Sequence, residues 1–407
     1  MESLFKRVPY IQRDALFELM RLYKEDESEK KVDLGIGAYR DDLGNPWVLT
    51  SVKLAETKLL SDPNYNHEYL AIEGLPSFIE VSKKLVFGED SVLVYNGCVS
   101  SIQTVSGTGA NHMGAIFMSL FNKGSVCYLS KPTWINHNRI WSHVGIPIFE
   151  YPYFDNLTLG INFQGMLSTL QQAPEKSIVL LHVSAHNPTG VDPTCEQWVI
   201  LCELMKQRKL FPFFDFAYQG FVSGDVNEDA WPVRYFASQG LELCVCQSFS
   251  KNFGLYGERC GCLHIVSKSA DIAKNISSQL SILQRSEVSS PPSYGAKIVS
   301  LILNDEELTQ EWKKDLLTMS SRIKKMRQSL YDYLMMFKTP GSWEHIINQR
   351  GMFSYTGLSK CHIQRLMEEF HIYMPLSGRI SMSGLRSDNI EYVARAINIV
   401  ICESQRI

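Results

Sequence analysis

The sequence predicts an α/β fold in which helices cover both faces of a largely parallel sheet. Five short segments are apolar throughout, as expected for strands that are buried on both faces. They span residues 125–130, 177–183, 210–215, 243–248 and 260–266. A helical pattern lies between two of them, and this alternation is typical of doubly wound sheets. In such sheets ligands collect at the carboxyl ends of the strands.

The helix between the second and third predicted strands has a recognisable start. Asp192 is placed as the N-cap and Pro193 as the first helical residue. Apolar residues follow at i, i+3, i+4 and i+7, namely Trp198, Leu201, Cys202 and Met205. This spacing predicts an amphipathic helix that packs on the sheet.

A second helical pattern predicts one long helix over residues 309–337. Its apolar residues alternate in steps of four and three: Trp312, Leu316, Met319, Ile323, Met326, Leu330, Tyr333 and Phe337. The spacing also suits a coiled coil. A helix that bridges two domains is favoured because no partner heptads follow. Another helical stretch covers residues 390–400.

Composition and charge exclude several classes of protein. Of the 407 residues, 45% are hydrophobic and 20% charged, which is typical of a packed globular protein. The formal net charge is -3 and no charged block occurs, so nucleic-acid and membrane-surface binding are not expected. Residues 1–14 lack the apolar segment of a signal peptide. The ten cysteines are therefore expected to be reduced, and the protein to be cytoplasmic.

The residues 248–261 suggest a reactive lysine. Lys251 follows a predicted buried strand, with Arg259 eight residues later in a glycine-containing turn. Burial and nearby positive charge lower the pKa of a lysine, so that its amine can attack an aldehyde. A surface lysine is the alternative for this stretch taken alone.

Two further segments contain hydrogen-bond donors that could bind a ligand. The run Ser106-Gly-Thr-Gly-Ala110 precedes a helix, and free backbone N–H groups at a helix start bind phosphate. After another strand, Asn187 could donate a hydrogen bond from a Pro-Thr-Gly turn. A plain helix start and a plain turn are the alternatives.

A carboxylate and an indole complete the set. Asp215 ends a strongly apolar strand and needs a partner, such as a protonated ring nitrogen or an arginine. Trp134 offers a flat face for stacking, although many tryptophans only fill the core. The cysteines around Lys251 lack a usual zinc spacing, so no metal is expected. Together these residues are the parts that hold pyridoxal phosphate.

Several motifs occur in a family-specific order. They are Leu34-Gly-Ile-Gly-Ala-Tyr-Arg40, Ser106-Gly-Thr-Gly109, Pro132-Thr-Trp134, His186-Asn-Pro-Thr-Gly190, Asp215-Phe-Ala-Tyr218, Ser248-Phe-Ser-Lys-Asn-Phe-Gly254 and Ser377-Gly-Arg-Ile-Ser-Met-Ser-Gly384. The chain resembles the aspartate aminotransferases nearly end to end, most closely the animal cytosolic type.

The resemblance implies a role for each matching residue. Lys251 would carry the cofactor and shuttle the proton. Asp215 would pair with the pyridine nitrogen, and Tyr218 and Asn187 would hydrogen-bond the phenolic oxygen. Trp134 would stack on the ring. The implied catalytic residues are Lys251, Asp215 and Tyr218.

The remaining implied residues bind the phosphate and the substrate. The phosphate ligands would be Ser106, Gly107, Thr108, Ser248, Arg259 and, from the neighbouring subunit, Tyr69. Arg379 would bind the substrate α-carboxylate, and Arg285 would reach the distal carboxylate across a dimer interface. Gly37, Trp134 and Asn187 would also lie beside the substrate.

The resemblance also implies an architecture. It is the type I fold of pyridoxal-phosphate-dependent transferases, with a seven-stranded, mostly parallel sheet in a large domain and a smaller α/β domain. The predicted boundaries are an arm at 1–14, a small domain at 15–46 and 319–407, and a large domain at 47–318. A homodimer with shared active sites is implied.

The implied reaction is amino transfer from L-aspartate to 2-oxoglutarate, giving oxaloacetate and L-glutamate. Racemisation or other chemistry at Cα is an alternative, as is a paralogue that binds the cofactor with little turnover. Seven positions depart from the family pattern: Ala71, Asn111, His112, Val288, Ser290, Ser381 and Ser383. The last two stand where the family has Asn and Ala.

Overall fold

The computed structural model describes residues 3–11 and 15–404. The predicted arm at 1–14 therefore lies partly outside the described residues, and its residues 3–11 form no helix or strand. The strands, in chain order, are β1 (Val32–Asp33), β2 (Val99–Val105), β3 (Cys127–Lys131), β4 (Ile148–Pro152), β5 (Phe154–Asp155), β6 (Gly160–Ile161), β7 (Ile178–His182), β8 (Phe211–Phe216), β9 (Leu243–Ser248), β10 (Cys260–Val266), β11 (Phe353–Tyr355), β12 (Ile372–Tyr373) and β13 (Arg379–Ser381).

Helices account for most of the other regular structure. In chain order they are α1 (Ala15–Glu25), α2 (Thr50–Leu60), α3 (Pro76–Phe87), α4 (Val92–Tyr95), α5 (Ser106–Phe121), α6 (Ile135–His143), α7 (Phe163–Gln171), α8 (Cys195–Arg208), α9 (Val226–Asp229), α10 (Trp231–Ser238), α11 (Ala270–Glu287), α12 (Tyr294–Asn304), α13 (Glu306–Met336), α14 (Glu344–Asn348), α15 (Lys360–Phe370) and α16 (Ile390–Ser404). In the part of the chain that the structure describes, no helix has the length and apolarity needed to span a membrane.

Seven strands form the central sheet, in the order β2-β10-β9-β8-β7-β3-β4. The run from β9 to β4 is parallel, whereas β10 is antiparallel to both of its neighbours. The predicted α/β class and mostly parallel seven-stranded sheet are confirmed. All five strands predicted from the apolar runs are present. Strands β2 and β4 contain no such run, so the apolar pattern does not predict them.

The start of α8 corrects one local prediction. Asp192 is not the N-cap; Thr194 is, and its side chain forms a capping box with Gln197. The carboxylate of Asp192 instead accepts the backbone N–H groups of Ala185 and His186, at 2.8 and 2.9 Å. A threonine followed three residues later by glutamine satisfies two helix-terminal donors, which frees the aspartate to hold the preceding turn.

The long helix α13 spans 31 residues, which confirms the prediction of one long helix. It packs against α2, α12, α14 and α16. Near its end Leu334 is buried, while the predicted Tyr333 and Phe337 are only partly covered. That the helix bridges two domains stays a prediction, as do the predicted domain boundaries, one of which falls within α13.

The two ends of the chain meet in small sheets beside the large one. Strand β1 pairs in parallel with β12, and β11 pairs with β13 in antiparallel orientation. This pairing brings the segment after β1, residues 34–40, against the strand that begins with Arg379. The same segment is joined to the loop that follows β9, because the backbone N–H of Tyr39 donates to the hydroxyl of Tyr256.

Candidate functional site

A cavity of about 260 Å³ opens at the carboxyl ends of β8 and β9, beside the start of α5. Ten predicted site residues line it: Ser106, Gly107, Thr108, Trp134, Asn187, Asp215, Tyr218, Ser248, Lys251 and Arg259. Residues from five separate segments therefore converge on one cavity, at the edge where parallel sheets bind ligands. Five more lining residues were not predicted as site residues: Asn111, His182, Ala217, Ser250 and Tyr256.

One end of the cavity is built to hold an anion. Helix α5 begins at Ser106, whose hydroxyl accepts a 2.7 Å hydrogen bond from Arg259 Nη2. The backbone N–H of Ser106 is in turn bound to the carbonyl of Arg259 at 2.8 Å. At Gly107 a Cβ would come within 2.7 Å of Ser248 Cβ, so only glycine lets this turn approach Ser248. Helix-terminal N–H groups beside a guanidinium form a phosphate-type site.

A buried carboxylate occupies another wall. Asp215 Oδ2 accepts a 2.9 Å hydrogen bond from Nε2 of His137, which is fully buried. Burial raises the pKa of Asp215, but the hydrogen bond from His137 and smaller electrostatic effects of neighbouring groups, Lys251 the least of them, outweigh it, and the pKa falls below its ordinary value. Asp215 therefore stays ionised, with its other oxygen available to a donor in the cavity.

A chain of hydrogen bonds lies behind Asp215. Burial lowers the pKa of His182 to about 3, so this ring is neutral. Its Nδ1 accepts the backbone N–H of Asn187 at 3.4 Å, which places the proton on Nε2. His182 Nε2 then donates to Thr133 Oγ1 at 3.2 Å, and Thr133 Oγ1 also shares a 2.8 Å hydrogen bond with His137 Nδ1. These bonds orient the His137 ring so that its Nε2 faces Asp215.

The amine of Lys251 lies close to these groups. Burial is the main cause that lowers the pKa of Lys251, to about 8; Arg259 lowers it further, and Asp215 opposes both. Its Nζ lies 5.6 Å from the centre of the Tyr218 ring. An amine with this pKa is partly deprotonated near neutral pH, so it can act as a nucleophile and as a proton carrier.

Two predicted substrate residues lie outside the cavity lining, on the adjoining elements. Arg379 Nη2 donates to the carbonyl of Gly35 at 2.8 Å, and its guanidinium lies 4.2 Å from the centre of the Phe353 ring. Gly37 is exposed, and no atom lies within 4 Å of the place where its Cβ would be. Burial raises the pKa of Tyr218, a residue of the cavity lining, and the charge of Arg379 acts against this rise.

The other two predicted residues are not brought to this cavity by their own chain. Arg285 is exposed in the last turn of α11, where it hydrogen-bonds Ser289 Oγ. Tyr69 is 87% exposed, and its backbone N–H binds Glu68. Both had been assigned to a partner subunit's site, and their roles stay predictions.

The cysteines near Lys251 lie in the two strands on either side of it. Cys244 and Cys246 of β9, and Cys260 and Cys262 of β10, are all buried and free. Burial raises the pKa of the Cys260 thiol. Among residues 3–11 and 15–404, no group of three or more His, Cys, Asp or Glu residues could hold a metal ion.

Comparison with known proteins gives consistent results. The family described as aminotransferase class I and II matches residues 29–397. The cytoplasmic aspartate aminotransferase of Schizosaccharomyces pombe is 47% identical and is aligned over 98% of both chains. The structure of the Saccharomyces cerevisiae cytoplasmic enzyme has a TM-score of 0.96 and 48% identity, covering 98% of this chain and 99% of that one.

A more distant structure also matches. The aromatic-amino-acid aminotransferase of Burkholderia pseudomallei, covalently bound to pyridoxal phosphate, is 39% identical with a TM-score of 0.96. The match covers 98% of this chain and all of that one. Proteins that are similar to this chain in backbone structure are thus named for two kinds of substrate, aspartate and aromatic amino acids.

Proposed function

Because this chain belongs to the class I and II aminotransferases, we propose that it is a pyridoxal-phosphate-dependent aspartate aminotransferase. It moves the amino group of L-aspartate reversibly to 2-oxoglutarate, giving oxaloacetate and L-glutamate. The observation that carries this proposal is the convergence of Lys251, Asp215 and the anion cradle at Ser106 and Arg259 on one cavity.

The residues present fit pyridoxal phosphate. The cradle at the start of α5 suits the phosphate, since a Cβ at Gly107 would close it against Ser248. The ionised carboxylate of Asp215 suits a protonated ring nitrogen, and the amine of Lys251 suits the aldehyde. Polar groups of Asn187 and Tyr218 line the same cavity and would hold the phenolic oxygen.

When bound, pyridoxal phosphate supplies an electron-withdrawing ring that makes the Cα proton of an amino acid removable. Asp215 would keep the ring nitrogen protonated by remaining charged. The amine of Lys251, with its lowered pKa, would take the proton from Cα of the donor amino acid and, in the reverse half of the transfer, would give a proton to Cα of the amino acid that forms. Arg379 binds the α-carboxylate through its fork of donors.

We also propose a homodimer in which each subunit completes the other's site. Tyr69 and Arg285 are exposed and lie away from the cavity of their own chain. The first described segment exposes five large apolar residues at 68–95%: Leu4, Phe5, Val8, Tyr10 and Ile11. Such a run in a water-soluble chain needs cover, which a second copy would supply.

The proposed location is the cytoplasm. It rests on the relatives from two yeasts that are named cytoplasmic, at 47% and 48% identity. A mitochondrial relative from Dictyostelium discoideum is 45% identical, so location varies among the proteins that this chain resembles. Fractionation of cells that express the full chain tests this assignment; co-purification with mitochondria would contradict it.

The activity is tested with a coupled assay for oxaloacetate formed from aspartate and 2-oxoglutarate. Wild-type protein should form oxaloacetate only when 2-oxoglutarate is present, and Lys251→Ala should form none. Borohydride reduction followed by peptide mapping should place a pyridoxyl group on Lys251. Lys206→Ala, which alters a surface lysine paired with Glu203, serves as the control.

Other results of these assays would support one of the alternative functions or contradict the cofactor site. Conversion of L-aspartate to its D form without an acceptor would support racemisation instead. A pyridoxyl label on Lys251 without oxaloacetate would support a cofactor-binding paralogue with little turnover. A label on another residue, or none, would contradict the assignment of the cofactor site.

A further inference from the structure

Hydrogen bonds hold the segment 35–40 in place on both sides of Gly37. Towards β13, the carbonyl of Gly35 accepts Arg379 Nη2 at 2.8 Å, and the carbonyl of Ala38 accepts Ser383 Oγ at 2.9 Å. Towards the cavity, the backbone N–H of Tyr39 donates to the hydroxyl of Tyr256 at 2.8 Å. This segment therefore joins the element that carries Arg379 to a residue that lines the cavity.

Two buried serines form one of these attachments. Ser381 and Ser383 are both fully buried, and their Oγ atoms lie 2.8 Å apart. Since Ser383 uses its only hydroxyl proton for Ala38, Ser381 must donate to Ser383. The backbone N–H of Ser381 also binds the carbonyl of Leu34 at 2.7 Å. The proton positions of the whole relay are thus determined.

We propose that Ser381 and Ser383 are positioning residues that fix Gly37 and Arg379 relative to each other. The inference rests on the proposed function, in which Arg379 binds the substrate α-carboxylate, and on the prediction that Gly37 lies beside the substrate. The relay acts through the carbonyl of Ala38, next to Gly37, and begins two residues after Arg379. A dicarboxylate that enters the site then finds Arg379 already in place against the segment that carries Gly37.

The relay depends on hydroxyl groups that the resemblance did not predict. At these two positions the family pattern has Asn and Ala, and an alanine at 383 has no donor for the carbonyl of Ala38. The hydroxyl of Ser381 would likewise lose its acceptor. Both groups are buried, so water cannot replace the lost partner without rearrangement.

Ser383→Ala tests the relay most directly. We expect KM for aspartate to rise about tenfold, with a smaller change in kcat, because one buried hydrogen bond that orders the ligands is lost. Binding of succinate, a dicarboxylate that cannot react, should weaken by a similar factor. Hydrogen exchange of the backbone amides in 36–39 should accelerate in the same protein.

Ser354→Ala is the matched control. Ser354 is also fully buried and lies on the neighbouring strand β11, but its hydroxyl donates to Gln349 Oε1 at 2.6 Å and not to a carbonyl of the 35–40 segment. It should lower stability without a change in succinate binding or in exchange at 36–39. Ser381→Ala, which keeps the bond to Ala38, should show a smaller effect than Ser383→Ala and serves if the latter does not fold.

The outcomes separate the inference from the proposed function. If wild-type protein binds succinate and Ser383→Ala binds it equally, with unchanged exchange at 36–39, the relay does not position the ligands. Equal acceleration in Ser354→Ala would also overturn it, because a general loss of stability would then explain the result. If wild-type protein binds no dicarboxylate, the proposed function fails, while the exchange measurement still tests the relay.

Discussion

The inner and outer halves of the site are built in different ways. The inner half holds Lys251, Asp215 and the anion cradle, all of which one chain brings to a single cavity. The proposed outer half comprises Gly37 and Arg379, which lie on two separate segments, and Arg285, which is exposed on α11; Tyr69, which the resemblance assigns to the phosphate of the neighbouring subunit, is also exposed. The strand ends of one sheet thus place most of the proposed cofactor ligands, whereas we expect recognition of the whole substrate to depend on a second subunit.

Subunit mixing tests this difference with the largest expected effect. The Lys251→Ala protein and the Arg285→Ala protein, each assayed separately, should have little activity with aspartate. Refolded together, they should recover about one quarter of wild-type activity, because half of randomly paired dimers are hybrids with one complete site of two. The coupled oxaloacetate assay on the purified mixture measures the recovery.

The control uses two changes in the inner half. A mixture of Lys251→Ala and Asp215→Asn should remain inactive, since each site of the hybrid then lacks one inner residue. Recovery in this mixture would show that the inner half also crosses the interface. No recovery in the first mixture would place Arg285 in the site of its own subunit or in none.

Arg285→Ala alone should separate recognition from chemistry. Loss of a charged hydrogen bond to the distal carboxylate should reduce kcat/KM for aspartate by about 10- to 150-fold. Phenylalanine has no distal carboxylate, so its kcat/KM should change little or rise. Steady-state kinetics with both amino acids measures the ratio, and Arg395→Ala, an exposed arginine paired with Glu391 on α16, is the control. Equal losses on both substrates would contradict the assigned role.

The halves also differ in what the sequence could predict. The apolar runs locate β7, β8 and β9, whose strand ends carry the inner half. Strand β2 was missed because its Ser100 and Gln103 are polar; the fold satisfies them through distant groups, the carbonyls of Ala273 and Pro292. Strand β4, at the sheet edge, is largely exposed and ends in Pro152, so it also lacks an apolar run.

Within the site, the resemblance identified residues that spacing alone could not join. Ser106 and Arg259 are hydrogen-bonded although 153 positions apart, and no local pattern shows this pair. Tyr256 and His182 were not predicted as site residues because their roles depend on partners fixed only by tertiary packing, such as the backbone N–H of Tyr39. The sequence correctly predicts that a polar side chain caps the start of α8, but it indicates Asp192, whereas the capping residue is Thr194.

The charge of Lys251 should cost stability in the cofactor-free protein. Its pKa is about 8 in the folded chain against an ordinary 10.5, so the unfolded chain binds more protons between these values. The contribution of Lys251 to the free energy of unfolding should therefore rise with pH across this window, by at most about 3 kcal/mol. Lys251→Met keeps the apolar stem without the charge and should lack this contribution, while every other titrating group is the same in both proteins.

Urea unfolding of both proteins at pH 7, 8.5 and 10 measures the effect. Lys251→Met should be the more stable at pH 7, with a gap that narrows as pH increases, because deprotonation removes the penalty in the wild type. A gap independent of pH would mean that the lysine is fully hydrated in the folded chain. The inner half would then lack the reactive amine on which the comparison depends.

The smallest expected effect comes from a buried hydrogen-bond acceptor within the inner half that lacks a donor. Asn111 is buried against the cavity, and its Oδ1 has no hydrogen-bond partner, although its Nδ2 donates to the carbonyl of Gly107 at 3.0 Å. A leucine here, the residue of the family pattern, removes the unsatisfied acceptor and favours the helix more strongly. Asn111→Leu should raise the free energy of unfolding by about 1 kcal/mol in urea titrations of the cofactor-free protein. Asn111→Ala separates removal of the amide from filling of its space. A loss of stability in the leucine variant would mean that the bond from Nδ2 to Gly107 outweighs the unsatisfied Oδ1, or that bound water satisfies this oxygen.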